Sequence, residues 1–260
     1  MNILITGSAG YIGSYFVNQL QNEHKIFYYD LKDTQSHDIR DYAQLEQVFQ
    51  NNDIDLVIHT AAQKYVDLAE KYPLETITTN INGTFNVFDL CDKYHVHTCV
   101  FLSSDKATNP NNIYGMTKQV AENFLQYFAK KSTTRYLALR LCNVYGSAGS
   151  VVEIFQRYIT NKEEIKITDV RMKRYFMSID QVFQLLMSAI KWGQSGDTFL
   201  YKIKKPTLIL DIAQSLCDQN HVPFKYTVIG NRGNEKLIET YSVKHCVKVY
   251  KNIYKERKKK

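Results

Sequence analysis

Residues 1–20, MNILITGSAGYIGSYFVNQL, decide the fold. An apolar strand, Asn2 to Thr6, runs directly into a turn with glycine at every third position, and an apolar helical pattern follows. Glycine lets the backbone approach a pyrophosphate closely, and the helix N-terminus supplies free N–H groups and a positive dipole. The stretch therefore predicts a dinucleotide-binding turn rather than a purely structural glycine turn, and its cofactor-binding residues would be Gly7, Gly10, Tyr11, Ile12 and Gly13.

An acidic residue follows the second predicted strand. Lys25 to Tyr29 ends at Asp30, where a carboxylate would hydrogen-bond the ribose hydroxyls of an adenosine and disfavour a 2′-phosphate. Lys32 would instead attract such a phosphate, and Asp30 as a simple turn cap is a further alternative. The cofactor is therefore predicted to be NAD or NADP, with NAD favoured.

Two further loops are expected to contact the cofactor. The segment 31–40 is shorter than the helix and strand that a doubly wound sheet usually has at this point, and its end would lie near the adenine. The buried strand at 55–60 opens into two alanines, which are small enough for the backbone to lie against a cofactor. The residues concerned are Asp38, Ile39, Ala61 and Ala62.

Strands and helices alternate along residues 1–142, which argues for a parallel, doubly wound sheet. After residue 142 the pattern changes to short strands and helices. We therefore predict an α/β protein with a Rossmann-like NAD(P)-binding domain, residues 1–142. A smaller C-terminal substrate-binding lobe, residues 143–260, would be partly interleaved with the sheet and end in a basic tail.

Ser103 to Lys118, SSDKATNPNNIYGMTK, supplies the candidate catalytic groups. On a helix, Tyr114 and Lys118 share a face because they are four residues apart. A phenol has a pKa of about 10, and a nearby cation favours its ionised form. At the mouth of a parallel sheet the pair would serve as a base that removes a proton from an alcohol. A solvated helix face is the alternative for such a pair taken alone.

Composition excludes several classes of protein. The chain has 260 residues, 44% of them hydrophobic and 23% charged, as is ordinary for a globular protein. No apolar run is long enough to span a membrane, and the five scattered cysteines suggest neither disulfides nor a metal site. The expected location is the cytoplasm, without a secretory signal. The net charge of +7 comes largely from the last ten residues, which we interpret as a solvated terminus rather than a nucleic-acid-binding site.

Several segments occur in an order that resembles the extended short-chain dehydrogenase/reductase superfamily: TGSAGYIG, HTAA, TNINGT, SSDKATNPNNIYGMTK and RLCNVYG. Longer segments, such as GSAGSVVEIF and ITDVRMKRYFMSIDQ, resemble the nucleotide-sugar 4,6-dehydratases that act on UDP-N-acetylglucosamine. That group includes C5-inverting members and capsular polysaccharide biosynthesis proteins. The chain is shorter than typical members, and the family's Pro-Gly-Glu-Lys appears here as Gly233-Asn234-Glu235-Lys236.

The resemblance implies a catalytic cycle. Tyr114, with its pKa lowered by Lys118 and by the cofactor's charge, would remove the O4 proton of the sugar while C4 passes hydride to NAD(P)+. Lys106, with a depressed pKa, would take the C5 proton, and Asp105 would protonate the departing C6 hydroxyl. Hydride return to C6 would leave a 4-keto-6-deoxy sugar nucleotide, with C5 inversion favoured. Ser104 would hydrogen-bond O4. A local ion pair or turn cap is the alternative for the Asp105–Lys106 pair.

The resemblance also implies contacts around this centre. Ser103 would contact the cofactor, and Asn80 would support the hydrogen-bond path behind Lys118, unless Asn80 merely begins a helix. The implied substrate-binding residues are Lys64, Asn143, Ser150, Val151, Arg174 and Glu235. A surface role is the alternative for Lys64 and for Arg174.

Two other functions remain open. A nucleotide-sugar 4-epimerase or 4-reductase would need Tyr114 and Lys118 but not the Asp105–Lys106 pair, and a non-catalytic dinucleotide-binding module would need none of them. The expected partners are a UDP-sugar, built on either N-acetylglucosamine or glucose, and a second copy of the chain. The homodimer or larger homo-oligomer is expected because helices at 80–95 and 113–131 resemble the pair that forms a four-helix bundle in this superfamily.

Overall fold

The structure, a computed structural model, describes residues 1–230 and 235–256 of the chain. Its strands in chain order are β1 (Asn2–Thr6), β2 (Lys25–Tyr29), β3 (Leu56–His59), β4 (Thr98–Ser104), β5 (Arg135–Leu141), β6 (Asn143–Val144), β7 (Ile165–Ile167), β8 (Lys173–Arg174), β9 (Phe176–Met177), β10 (Asp197–Tyr201), β11 (Thr207–Leu208), β12 (Tyr226–Val228), β13 (Cys246–Tyr250) and β14 (Ile253–Glu256). Its α-helices are α1 (Tyr11–Leu20), α2 (Tyr42–Gln50), α3 (Val66–Lys71), α4 (Pro73–Ile77), α5 (Thr84–Lys93), α6 (Ile113–Lys131), α7 (Val151–Thr160), α8 (Ile179–Trp192) and α9 (Ile209–Gln219). None of the helices in the described ranges is long and apolar enough to cross a membrane.

The central sheet has eight strands in the order β13-β14-β10-β5-β4-β3-β1-β2. From β2 to β10 neighbouring strands run parallel, whereas β14 and β13 form an antiparallel hairpin on the β10 edge. Strand order runs outward from β1 in one direction to β2 and in the other to β3, β4 and β5, which is the doubly wound arrangement. The predicted α/β fold class is therefore confirmed.

Both faces of the sheet are covered by helices. Strand β4 is buried along its whole length, as expected for a parallel strand with helices on both sides. Successive side chains of a strand point to opposite faces, so Ile3 and Ile5 pack in one core while Leu4 packs in the other. The first core includes apolar residues of α1 and α8, and the second includes residues of α2, α5 and α6.

Beyond residue 142 the chain divides between the sheet and a smaller lobe. Helix α8 packs on β5 and β10, and the hairpin of β13 and β14 extends the sheet. Helices α7 and α9 and strand β7 instead enclose a separate apolar core, which includes Val152, Phe155, Ile165 and Leu216. The lobe and the sheet are thus interleaved along the chain, and residue 142 as a domain boundary stays a prediction.

The helix expected at 80–95 begins earlier in the structure. Helix α4 starts at Pro73, a residue that is tolerated at the first helical position because its missing N–H would be unpaired there. A π-helical segment, Thr78–Gly83, then joins α4 to α5. Asn80 therefore lies inside a continuous helical stretch and not at a helix start.

Arg140 of β5 ties the C-terminal hairpin to helix α6. Its guanidinium donates to Glu122 (Nε to Oε1 3.1 Å, Nη2 to Oε2 2.5 Å) and pairs with Glu256 of β14. The Arg140 side chain is only 10% exposed. Burial opposes its charge, but the two carboxylates raise the pKa of Arg140 above the ordinary value.

We expect Arg140→Met to lower the free energy of unfolding by about 3–5 kcal/mol, because it leaves the carboxylate of Glu122 buried without its partner. The measurement is urea unfolding followed by circular dichroism. Arg171→Met is the matched control, since Arg171 pairs with Asp169 but is 72% exposed, and we expect no measurable change from it. Equal losses in the two variants would contradict a structural role for the buried network.

Candidate active site

The glycine turn lies beside the loop that follows β3. Thr6 at the end of β1 is paired with His59 at the end of β3, so the two loops leave the sheet side by side. Gly7 has φ +73°, and a Cβ there would lie 2.6 Å from the Ala61 backbone nitrogen. A Cβ on Gly13 would lie 2.1 Å from the Gly7 carbonyl oxygen. Only glycine fits these two positions, so the turn is tightly folded as the sequence predicts.

The turn has the properties of a pyrophosphate cradle. Gly10 is the exposed N-cap of α1 and, having no side chain, does not cap the helix with a side-chain hydrogen bond. A Cβ on Gly10 would meet only the Gly7 carbonyl oxygen, at 3.1 Å, and otherwise open space. The Tyr11 hydroxyl donates to the Tyr145 carbonyl (3.1 Å), which joins the turn to the loop after β6. A dinucleotide phosphate fits this exposed, glycine-lined helix end.

Asp30 does cap its turn, which was one of the alternatives. One carboxylate oxygen accepts from Ala9 N (3.0 Å) and the other from Lys32 N (2.9 Å). Each carboxylate oxygen has a second lone pair, so Asp30 can still accept from a ribose hydroxyl.

Two predicted adenine contacts have other partners in the structure. The Asp38 carboxylate is bound bidentately by Arg40, which lowers the pKa of Asp38. Ile39 is 4% exposed, and its side chain packs in the core against Gly83. The Ile39 side chain therefore belongs to the core, and the placement of Asp38 and Ile39 near the adenine stays a prediction.

Asn80 fixes the loop after β3 to helix α6. Its Oδ1 accepts from Gln63 N (2.8 Å), and its Nδ2 donates to Gln63 O (2.8 Å) and to Thr117 Oγ1 (3.1 Å). The residue is 1% exposed. Ala61 and Ala62, which precede Gln63, are only partly buried. Asn80 thus acts by holding this loop in place next to the residue before Lys118.

Strand β4 ends in a turn that carries the candidate acid and base. A 3₁₀ turn, Asp105–Ala107, follows Ser104, and the Ser104 hydroxyl accepts from Lys106 N (3.3 Å). The same hydroxyl donates to Asp105 Oδ1 (3.1 Å), and Lys106 Nζ lies 3.2 Å from that oxygen. The Asp105 side chain is 1% exposed, and its Oδ2 has no hydrogen-bond partner in the described ranges. Acid and base candidates therefore form a buried ion pair at the mouth of the sheet.

The electrostatics of this turn differ from the expectation. Burial lowers the pKa of Lys106, but the carboxylates of Asp105 and Glu239 outweigh it and raise the pKa above the ordinary lysine value. Burial raises the pKa of Tyr114, and the Lys106 charge and the Ser104 hydroxyl act against that rise. The expected depressed pKa of Lys106 is therefore wrong for the protein alone, as is the expected lowering of the Tyr114 pKa by Lys118.

Lys118 lies beneath the site, against strand β4. Its Nζ donates to the Leu102 carbonyl (2.9 Å) and lies 4.7 Å from the centroid of the Phe101 ring. Burial lowers the pKa of Lys118 to about 7, although Glu122 acts in the opposite direction. The placement of Tyr114 and Lys118 on one helix, α6, agrees with the prediction.

We expect the buried lysine to make folding stability depend on pH. Between the folded pKa of about 7 and the ordinary value of 10.5, the unfolded chain binds a proton at Lys118 that the folded protein does not. The free energy of unfolding should therefore rise with pH across this window, relative to Lys118→Met. Urea unfolding of both proteins at several pH values measures the difference, and parallel curves would contradict a depressed pKa.

Ser103 has a different partner from the one expected. Its hydroxyl donates to Glu122 Oε1 (2.5 Å), within the network of Arg140. The Ser103 hydroxyl is therefore bound to helix α6, and a cofactor contact of Ser103 stays a prediction.

The predicted substrate-binding residues are spread over two loops and the strands of the smaller lobe. Lys64 Nζ donates to the Ala148 carbonyl (2.7 Å), and burial lowers the pKa of Lys64. Asn143 Nδ2 donates to the Tyr175 carbonyl (3.1 Å). Ser150 caps helix α7, at whose first position Val151 lies partly buried. These side chains line the junction of sheet and lobe but have protein partners in the structure.

Arg174 lies closer to the acid–base turn. Its side chain is 8% exposed, and its Nη1 donates to the carbonyls of Lys236 (2.9 Å) and Leu237 (3.2 Å). Glu235 Oε1 is 3.9 Å from Arg174 Nη2. Arg174 is also among the charges that act on Lys106. Gly233 and Asn234 of the altered family motif lie outside the described residues.

Sequence reasoning missed Glu239. The residue is 3% exposed, and its carboxylate acts on Lys106 from a segment more than a hundred residues away in the chain. A single acidic residue in the run Leu-Ile-Glu-Thr has no motif around it, so nothing in the sequence marks it. Within the described ranges there is no group of three or more His, Cys, Asp or Glu residues that could hold a metal ion.

Comparisons with known proteins extend over most of the chain. The sequence pattern of a family described as "Polysaccharide biosynthesis protein" matches residues 29–256. A UDP-N-acetylglucosamine 4,6-dehydratase (inverting) of Campylobacter jejuni is 34% identical over 92% of this chain and 76% of its own length. The capsular polysaccharide biosynthesis protein CapD of Staphylococcus aureus is 32% identical over 97% of this chain, which spans only about half (47%) of that relative. The X-ray structure of Pen from Bacillus thuringiensis superposes with a TM-score of 0.83, at 30% identity, over 91% of this chain and 79% of that one.

Proposed function

The chain belongs to the polysaccharide biosynthesis protein family, and from this premise we propose that it is a nucleotide-sugar 4,6-dehydratase. The substrate we propose is UDP-N-acetylglucosamine or a close UDP-hexose, converted to a 4-keto-6-deoxy sugar nucleotide. The observation that supports this most strongly is the buried Asp105–Lys106 ion pair next to Tyr114 and Ser104. An oxidation at C4 alone would not need a second acid–base pair at that position.

The ion pair can supply both an acid and a base by one proton transfer. When the Lys106 ammonium gives its proton to Asp105 Oδ1, 3.2 Å away, the products are a neutral amine and a carboxylic acid. The amine takes the proton from C5, which a ketone at C4 makes acidic, and the carboxylic acid protonates the C6 hydroxyl as it leaves as water. The elimination returns the pair to its starting charges. Lys106 can therefore act as the base even though its pKa is raised, because Asp105 rather than solvent takes its proton.

Tyr114 and Ser104 serve the oxidation at C4. The Ser104 hydroxyl would hydrogen-bond O4 of the sugar and hold it near the Tyr114 oxygen. Tyr114 would take the O4 proton as a phenolate and become a neutral phenol. Tyr114 gains the O4 proton, and the departing water carries away the proton that Lys106 gave to Asp105. Over the full cycle, the number of protons on the protein is therefore unchanged. Lys106 in its charged form then returns a proton to C5, and the face from which it does so determines whether C5 is inverted.

A nicotinamide dinucleotide would be held by the glycine turn at Gly7, Gly10 and Gly13 and by the N-terminus of α1. When bound, it accepts the hydride from C4 and returns it to C6. Asp30 favours NAD over NADP, because its carboxylate can accept a hydrogen bond from a ribose hydroxyl, whereas its negative charge repels a 2′-phosphate. Lys118 would lie beneath the nicotinamide end, since it is anchored to the last residues of β4.

The nucleotide end of the substrate would meet the smaller lobe. Arg174 is buried beside the acid–base turn and suits a phosphate oxygen, because its guanidinium binds oxygens bidentately. Lys64, Asn143 and Glu235 would contribute further contacts at the junction of sheet and lobe. N-acetylglucosamine as the sugar is supported by the Campylobacter relative's name.

A 4-epimerase of the same fold is the second candidate. The observation that favours it is the raised pKa of Lys106, since a charged ammonium takes no proton from C5. Epimerisation leaves the mass of the sugar nucleotide unchanged, whereas dehydration removes one water.

The proposed function is tested by incubating the protein with NAD or NADP and UDP-N-acetylglucosamine and measuring the mass of the sugar-nucleotide product by mass spectrometry. We expect loss of one water. A product of unchanged mass would favour the epimerase and contradict the dehydratase.

A homodimer is a further part of the proposal. Phe85 of α5 and Met116 and Tyr127 of α6 are exposed apolar residues on the two helices expected to pair. A cytoplasmic location and the absence of nucleic-acid or membrane partners stay predictions from the sequence.

A further inference from the structure

A C-terminal segment, residues 235–241, lies across the acid–base turn and is fastened at both ends. At its start, Lys236 Nζ donates to the carbonyls of Thr108 (3.1 Å) and Asn109 (2.5 Å). In its middle, the Leu237 carbonyl accepts from Lys173 N (2.8 Å). At its end, the buried Tyr241 hydroxyl donates to the Tyr201 carbonyl (2.7 Å). The segment is therefore held in one position over the residues that follow β4.

The segment carries a buried carboxylate with an unused oxygen. The Glu239 side chain is 2% exposed, and its Oε2 has no hydrogen-bond partner among the residues that the structure describes. The nearest cation on its own segment, Lys236 Nζ, is 3.6 Å from this oxygen and is already bonded to two carbonyls. A buried carboxylate is costly unless a charge or a donor compensates it.

A second positive charge that acts on Glu239 is the Lys106 ammonium of the acid–base turn. Glu239 and Asp105 both act on the Lys106 ammonium, and each has one buried oxygen without a hydrogen bond to any of the described residues. Asp105 approaches Lys106 from its own turn, and Glu239 approaches it from the C-terminal segment. The charged and titratable groups around this ammonium are Asp105, Glu239, Arg174 and Tyr114, together with the Cys142 thiol.

We propose that Glu239 is a positioning residue of this site, whose buried carboxylate works with that of Asp105 to hold the Lys106 ammonium at the end of β4. The effect of Glu239 on the position and pKa of Lys106 does not depend on the proposed function. Only its effect on the rate of dehydration rests on that function. There, Glu239 makes Lys106 a stronger base, because a nearby negative charge stabilises the ammonium that forms when the C5 proton is taken. It also restricts the neutral amine to higher pH.

The test is the titration of Lys106 itself, followed by NMR of the full-length protein with isotope-labelled lysine. Lys106→Met identifies the signal. In the wild-type protein we expect a midpoint above the ordinary lysine value of 10.5. In Glu239→Gln, which keeps the size of the side chain and removes its charge, we expect a midpoint lower by about one pH unit, a tenfold change in the protonation equilibrium. Glu239→Asp keeps the charge and should lower the midpoint less.

Glu256→Gln is the matched control, because it removes a carboxylate from the same C-terminal part of the chain, where the partner is Arg140. Its Lys106 midpoint should equal that of the wild type. An unchanged midpoint in Glu239→Gln, or equal shifts in Glu239→Gln and Glu256→Gln, would overturn the proposal. So would a wild-type midpoint below 10.5, a result that needs no variant to fold.

The same variants separate this inference from the proposed function. If the protein dehydrates UDP-N-acetylglucosamine, the rate of water loss should differ between Glu239→Gln and the wild type and stay unchanged in Glu256→Gln. The proton affinity of Lys106 determines how readily it passes its proton to Asp105 and takes one from C5. A shifted NMR midpoint without any dehydration would reject the proposed function and support the role of Glu239. Dehydration with an unshifted NMR midpoint would support the proposed function and reject the role of Glu239.

Discussion

Tyr114→Phe is expected to lower kcat/KM for UDP-N-acetylglucosamine by about 10²–10⁴-fold, the usual contribution of a positioned acid or base. The phenol is the group beside Ser104 that can take the O4 proton, and phenylalanine keeps its ring while removing that function. Product formation followed by mass spectrometry measures the loss. The fold should persist, since the hydroxyl is the only group removed.

Tyr127→Phe is the matched control for this variant. It is the same substitution on the same helix, at a residue that is 59% exposed, and it should leave the rate unchanged. A Tyr114→Phe protein that keeps its rate within a few-fold would show that another group removes the O4 proton.

Lys106→Met is expected to abolish water loss by a similar factor of about 10²–10⁴. Methionine preserves most of the apolar stem but cannot take the C5 proton. Oxidation at C4 depends on Tyr114 and Ser104, so it should continue. The measurement compares the rate of water loss with the reduction of bound NAD(P)+ to NAD(P)H by UDP-N-acetylglucosamine, which is followed by absorbance.

Lys93→Met is the control, because Lys93 also pairs with a carboxylate, Glu46, but is 52% exposed on α5. It should change neither rate. If Lys106→Met retained water loss, Lys106 would not be the base. If Lys106→Met lost cofactor reduction to the same extent, the role of Lys106 would be in binding the sugar rather than in elimination.

Local sequence patterns correctly predicted the positions of residues that lie together within a single helix or turn. The spacing of Tyr114 and Lys118 placed both on α6, and the glycine spacing placed Gly7, Gly10 and Gly13 in one tight turn. The alternation of strands and helices was sufficient for the sheet because each parallel strand is a short buried run.

Contacts between distant segments could not be predicted in this way. The pKa of Lys106 depends on Glu239, which lies 133 positions later in the chain and is brought to the turn only by the fastened segment. The Ser103 hydroxyl donates a hydrogen bond to Glu122 on α6. The Asn80 side chain hydrogen-bonds both Gln63 and Thr117, which lie on other segments of the chain. Ile39 was placed near the adenine by its loop, but its apolar side chain is buried against Gly83.

The most direct test of the central claim, that one site oxidises C4 and expels water across C5 and C6, is the reaction of UDP-N-acetylglucosamine in deuterium oxide. Mass spectrometry and NMR of the product report water loss and deuterium at C5 together. We expect a 4-keto-6-deoxy product that has lost one water and carries solvent deuterium at C5. A sugar nucleotide of unchanged mass without deuterium at C5 would contradict the claim.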